Sequence, residues 1–176
     1  ITAIAAYGIT GKLETILFYP AMALNMVLTT IVGQCIGGQR ADRAKDYLKC
    51  ALKYGCVLLL ILSIVIVAFS RQLSGFFVNS SDVAVIVGVY FLFFGVGYIL
   101  NTATNSFLGV LNGLGKPAKS MLLMIFYYIV IRMPLAYLFS FWGLGLNGIW
   151  AAVLISHICA AVASTIVSII QLKNNF

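Results

Sequence analysis

Glu14, Arg132 and His157 are ionisable residues lying within or at the edge of long apolar runs. An ionisable group at the middle of a membrane span costs about 2.5–3.5 kcal/mol on insertion scales, so each needs a reason to be there. At about 100° per residue, Glu14 shares a helical face with Phe18, Ala21, Asn25 and Thr29, which stacks a carboxylate, an amide and a hydroxyl along one stripe. Pro20 interrupts that stripe, removes the hydrogen bond to the Ile16 carbonyl and should bend the helix. A bent helix carrying a carboxylate in a polar stripe could take up a cation or a proton. The alternative is a wet interfacial Glu14 beside Lys12 that favours the helix N-terminus electrostatically.

Arg132 sits roughly midway along its apolar run, with Tyr128 one turn earlier and Pro134 just after. A guanidinium there requires a carboxylate, carbonyls or a water-filled cavity; the other reading is a structural arginine tying helices within a bundle. His157 shares a face with Trp150, Ala161, Ser164 and Ser168. It is either a proton relay, since imidazole titrates near neutrality, or a residue hydrogen-bonded across helices. The longest stripe is Phe94, Tyr98, Asn101, Asn105, Leu108 and Asn112. Its amides should avoid lipid, so they either glue helices or line an aqueous cavity. A cavity of rings and amides would suit amphipathic organic cations.

Other chemistry has no constellation to support it. Nucleophile elbow, zincin motif and phosphate loop are all missing from the sequence, and Gly113–Pro117 lacks P-loop spacing. The four cysteines, Cys35, Cys50, Cys56 and Cys159, form no C-x-x-C. No enzyme, no metal site and no cofactor is expected.

The elements that carry these residues follow from composition. Of 176 residues, 62% are hydrophobic and 9% charged, and the mean hydropathy is +1.08. A soluble domain carries about 25% charged residues, so the expectation is an all-α polytopic transmembrane bundle. At about 20 residues per span, the length admits at most five or six helices. Polar punctuation separates five, at about 11–35, 41–70, 83–111, 118–141 and 147–172. The second should begin amphipathic, with Ala44, Leu48 and Gly55 on one face and Arg43, Lys45 and Lys49 on another; 71–82 reads as a loop. Gly33-x-x-x-Gly37 and Gly109-x-x-x-Gly113 mark places where backbones could approach closely.

The net charge of +7 resides in loops, so it reads as a topology signal rather than as a nucleic-acid surface. One side receives Arg40, Arg43, Lys45, Lys49, Lys53, Lys116, Lys119 and Lys173; the other holds only Lys12 and Arg71. That asymmetry predicts a cytoplasmic C-terminus and an N-terminus starting outside. With Ile1 first and no signal peptide, the chain is expected to begin partway through a longer protein.

Ordered along the chain, several stretches resemble the C-terminal half of multidrug and toxic compound extrusion (MATE) transporters. They are Ala5–Gly38 with the following ADRAKDYLKCALKYG, then GVLNGLGKPAKSM at Gly109–Met121, RMPLAYLF at Arg132–Phe139 and GLGLNGIWAA at Gly143–Ala152. The resemblance implies the eighth to twelfth helices of a two-bundle, twelve-helix antiporter in the plasma membrane, lacking its N-terminal bundle. It would export amphipathic cationic small molecules by alternating access in exchange for sodium ions or protons. Under that reading Glu14 is the coupling position, and Phe18, Asn25, Tyr98, Asn101, Asn105, Tyr128 and Arg132 are the cavity positions. A lipid-linked oligosaccharide flippase of the same superfamily and a non-transporting scaffold subunit are the alternatives.

Overall fold

A computed structural model describes residues 2–69, 72, 81–143 and 145–175. They form five helices: α1 (Thr2–Gly37), α2 (Ala41–Ala68), α3 (Ser81–Gly113), α4 (Pro117–Phe141) and α5 (Gly145–Asn174). Among the described residues there is no strand.

Helix ends differ from expectation in instructive ways. α1 begins at Thr2 rather than near Gly11, because the alanine-rich opening is a good helix former. Glu14 therefore lies about three turns inside the helix, not in its first turn, and an interaction with the N-terminal dipole, which fades beyond one turn, no longer explains it. Ser81 and Asp82 belong to α3 rather than to the preceding loop; Ser70, Arg71 and residues 73–80 lie outside the described residues.

α4 is not uniform. Phe126–Arg132 is a π-helical stretch between α-helical Pro117–Ile125 and Met133–Phe141. Pro134 offers no N–H to the Val130 carbonyl and its ring would collide with it; widening the preceding turns relieves that collision.

α3 is the hub, packed against α1, α2 and α5, while α4 rests chiefly on α5. Two apolar clusters stack along it. One gathers Leu17, Leu59, Tyr90, Phe91, Phe94 and Trp150; the other gathers Leu28, Val32, Leu48, Phe107, Val110 and Leu172. Between them α3 carries a polar layer in which Asn101, Thr102, Thr104, Asn105 and Ser106 are all buried. Its hydroxyls are satisfied locally: Thr102 donates to the Tyr98 carbonyl at 2.8 Å and Ser106 to the Thr102 carbonyl at 2.9 Å. Such back-bonding keeps polar groups paired where no bulk water reaches.

The two glycine pairs behave differently. A Cβ at Gly109 would lie 2.6 Å from the Asn25 carbonyl oxygen, and one at Gly113 would lie 2.7 Å from that of Thr29. These glycines let α3 touch the backbone of α1. Gly37 has nothing within 4 Å, and a Cβ at Gly33 would make only an ordinary contact, 3.7 Å from the Gly113 oxygen. α4, by contrast, is largely uncovered: Ile129, Val130, Met133, Tyr137 and Phe141 are exposed. In water that surface would be a liability, whereas in lipid apolar side chains have no drive to hide. Four of the helices are long and apolar enough to cross a bilayer.

Candidate functional site

Glu14 meets two partners from a helix far away in sequence. Its Oε1 accepts hydrogen bonds from the Tyr90 hydroxyl at 2.5 Å and the Tyr98 hydroxyl at 2.6 Å. The two tyrosines stand two turns apart on one face of α3 and are 5% and 7% exposed. Phe94 lies between them, stacked on Tyr90 at 4.0 Å, and Trp150 of α5 meets the Tyr90 ring edge-on at 5.7 Å. A half-buried carboxylate is thus held by two phenols inside an aromatic cluster. Hydrogen bonds to a charged group are the strong kind, worth about 1.5–3 kcal/mol, and both converge on the same oxygen.

Below this point α1 passes Pro20, half-buried within an otherwise continuous helix. One turn further Asn25 faces α3, where Asn112 Nδ2 donates to its Oδ1 at 3.4 Å. Thr29 Oγ1 reaches the Asn25 carbonyl at 2.8 Å and the Gly109 carbonyl at 3.3 Å. Asn101 and Asn105 bond along their own helix: Asn105 Nδ2 donates to the Asn101 carbonyl at 3.0 Å and to its Oδ1 at 3.1 Å. Phe18, at 38% exposure, faces outward from α1.

Arg132 and His157, separate in the sequence reading, come together. At the end of the π-helical stretch the Arg132 Nε donates to Ser156 Oγ at 3.0 Å, and Nη2 lies 3.3 Å from His157 Nε2. The guanidinium also covers the Tyr128 ring at 4.5 Å and approaches that of Tyr127 at 6.0 Å. Because arginine can only donate, His157 Nε2 accepts and its proton sits on Nδ1. That Nδ1 is buried and has no partner among the described residues. A relay through His157 would therefore require Arg132 to release Nε2. Tyr128 lies within electrostatic range of the Tyr98 hydroxyl, which places the arginine cluster beside the Glu14 cluster.

Two contributors went unnoticed in the sequence. Tyr90 continues the stripe of Phe94 and Tyr98 one turn further back, and that periodicity could have found it. Ser156 precedes His157 directly, but nothing in its spacing signals an arginine partner.

The NorM-type "Probable multidrug resistance protein NorM" of Pasteurella multocida is 28% identical over 163 residues, covering 90% of this chain and 35% of that protein. The "FAD transporter" of Shewanella oneidensis is 27% identical over 162 residues, covering 92% and 36%. The solved outward-facing structure of a multidrug resistance MATE family transporter of the MOP superfamily superposes with a TM-score of 0.90 at 19% identity, over 99% of this chain and 39% of that one. A MOP superfamily transporter from Pyrococcus furiosus matches with the same TM-score, 0.90. The chain thus spans 35–36% of the length of these two relatives. The five-helix bundle is the fold of part of such transporters, and the sequence profile of the MatE family matches residues 1–138; the chain belongs to the MatE family.

Proposed function

We propose that this bundle works with a second bundle of the same polypeptide as a cation-coupled antiporter, exporting amphipathic organic cations by alternating access. The observation that carries the reading is the Glu14 carboxylate held by Tyr90 and Tyr98 at 2.5 and 2.6 Å. A proton or sodium ion arriving at Glu14 competes with the two phenols for the same oxygen. Its arrival weakens the tie between the upper part of α1 and α3. The lower part stays fixed by the backbone approach at Gly109 and Gly113, and Pro20 lies between the two. α1 can then swing at Pro20 when the cation binds and return when it leaves, which is the two-state element that alternating access requires. The aromatic side chains Phe18, Tyr98 and Tyr128, with the amides Asn25, Asn101 and Asn105, supply ring faces and polar contacts to a cationic compound.

The test is efflux of an organic cation such as ethidium from cells or inverted vesicles, driven by an imposed sodium or proton gradient, in the full-length polypeptide. Glu14→Gln is expected to lower gradient-driven efflux at least tenfold in protein that still folds, and Asn105→Leu to alter it less. Unchanged efflux and coupling in both removes this assignment.

A second reading has its own support in Arg132. Among the described residues no carboxylate lies within ion-pair distance of its guanidinium, and it stands over an exposed tyrosine ring. An anionic aromatic compound would suit that pair, and one relative is named an FAD transporter. Export of FAD that Arg132→Gln abolishes, without loss of ethidium efflux in the wild type, would place both classes in one transporter.

A further inference from the structure

The groove between α1 and α2 carries two concavities at different depths. At its charged end a cavity of about 260 Å³ is lined by Gln34, Cys35, Arg40, Arg43 and Tyr47. Deeper in the same groove lies an apolar cavity of about 310 Å³, lined by Pro20, Ala23, Leu24, Val27, Tyr54 and Leu58. Arg40 and Arg43 are exposed, and among the described residues the one ion pair, Lys49–Asp46 at 3.5 Å, involves neither. Tyr47 and Tyr54, 44% and 64% exposed, stand on the α2 face between the two cavities.

We propose that this groove is a binding site for a phospholipid with an anionic headgroup. The arginines and Gln34 match a phosphate in charge and hydrogen bonding. The tyrosines stand at the level where aromatic side chains favour the headgroup boundary. The deeper cavity offers an acyl chain an apolar wall. The spacing also fits: the two cavities are about a dozen residues apart on both helices, roughly 18 Å at 1.5 Å per residue. The hydrocarbon half-thickness is about 15 Å, so a phosphate at Arg40 and Arg43 puts chain carbons beside Leu24 and Leu58. The basic residues Lys45, Lys49 and Lys53 extend the same positive end and raise the local concentration of anionic lipid. The site is independent of Glu14 and of the transported compound.

Native mass spectrometry of the full-length polypeptide released from nanodiscs tests this, with phosphatidylglycerol, phosphatidylcholine and glycerol phosphate as probes. Wild-type protein is expected to retain phosphatidylglycerol at least tenfold over phosphatidylcholine. Arg40→Gln with Arg43→Gln should bring the two to parity, whereas Lys45→Gln with Lys49→Gln, an equal charge change away from the cavity, should not. Ala23→Phe should lower retention several-fold while leaving the arginines in place. In the unmodified protein, photoactivatable phosphatidylglycerol should label residues 20–27 and 54–58. Equal retention in the arginine double variant, equal loss in the lysine double variant, competition by glycerol phosphate at matched concentration, or labelling elsewhere would each overturn the proposal.

Discussion

Between Asn25 and Val32, α1 meets α3 through backbone, with the Gly109 and Gly113 positions so close that an added Cβ would lie 2.6–2.7 Å from carbonyl oxygens. Between Glu14 and Leu17 the same two helices meet through long side chains, with two phenols and one carboxylate spanning the gap. The lower contact cannot loosen gradually, because short-range packing is either made or lost. The upper one can exchange its partners at small energetic difference, because a proton or cation substitutes for a phenol at the same oxygen. One pair of helices thus contains both a fixed point and a releasable one, with a proline between them.

The sharpest way to break this contrast is at the fixed point. Gly109→Ala or Gly113→Ala is expected to destabilise the bundle by about 2–3 kcal/mol, since overpacking against backbone cannot be relieved by a side-chain rotation. Folded yield and thermal midpoint in detergent would report it, and wild-type stability in both variants would mean the helices are free to slide.

At the releasable end, Tyr90→Phe and Tyr98→Phe should each remove about 1.5–2 kcal/mol. The double variant should fall short of their sum, because both phenols serve one oxygen. Strict additivity in that cycle would argue that the two never bind Glu14 together. A smaller effect is expected at Arg132→Lys, about 1 kcal/mol, from loss of the planar stack on Tyr128 and of the fork that reaches Ser156 and His157. Gly37→Ala, with open space around it, should change stability by less than about 0.5 kcal/mol. It separates the glycine pair that packs from the one that shares only its spacing.

The five helices were legible because lipid enforces long apolar runs and polar loops interrupt them. The inner face of α2 was legible too: Ala44, Leu48 and Gly55 are buried as their spacing indicated. What periodicity supplies is an angle about a helix's own axis. It supplies neither the neighbour that the angle faces nor the height at which the two meet. Glu14 was therefore visible as an anomaly, while its tether to Tyr90, 76 residues away, was not. Arg132 and His157 were read as separate problems, although each is the other's partner across α4 and α5. In water, the exposed and buried faces of α4 would differ in composition. In lipid both are apolar, and Ile129 or Val130 carries no mark of facing outward. Pro134 was visible, but the widening it provokes upstream depends on how Met133–Phe141 continues against α5, which no local pattern encodes.

That widened stretch makes the number of residues between Pro117 and Arg132 consequential. A π-turn holds about one residue more than an α-turn, so the chain here has a spare residue in its count. Dropping one would restore ordinary winding without breaking the helix. It would also rotate whatever lies on one side of the change by roughly 100° relative to the other, at 3.6 residues per turn. The guanidinium now aimed at Ser156 and His157 would then point along the bundle's flank, so the aim of this arginine is set as much by arithmetic as by side-chain identity.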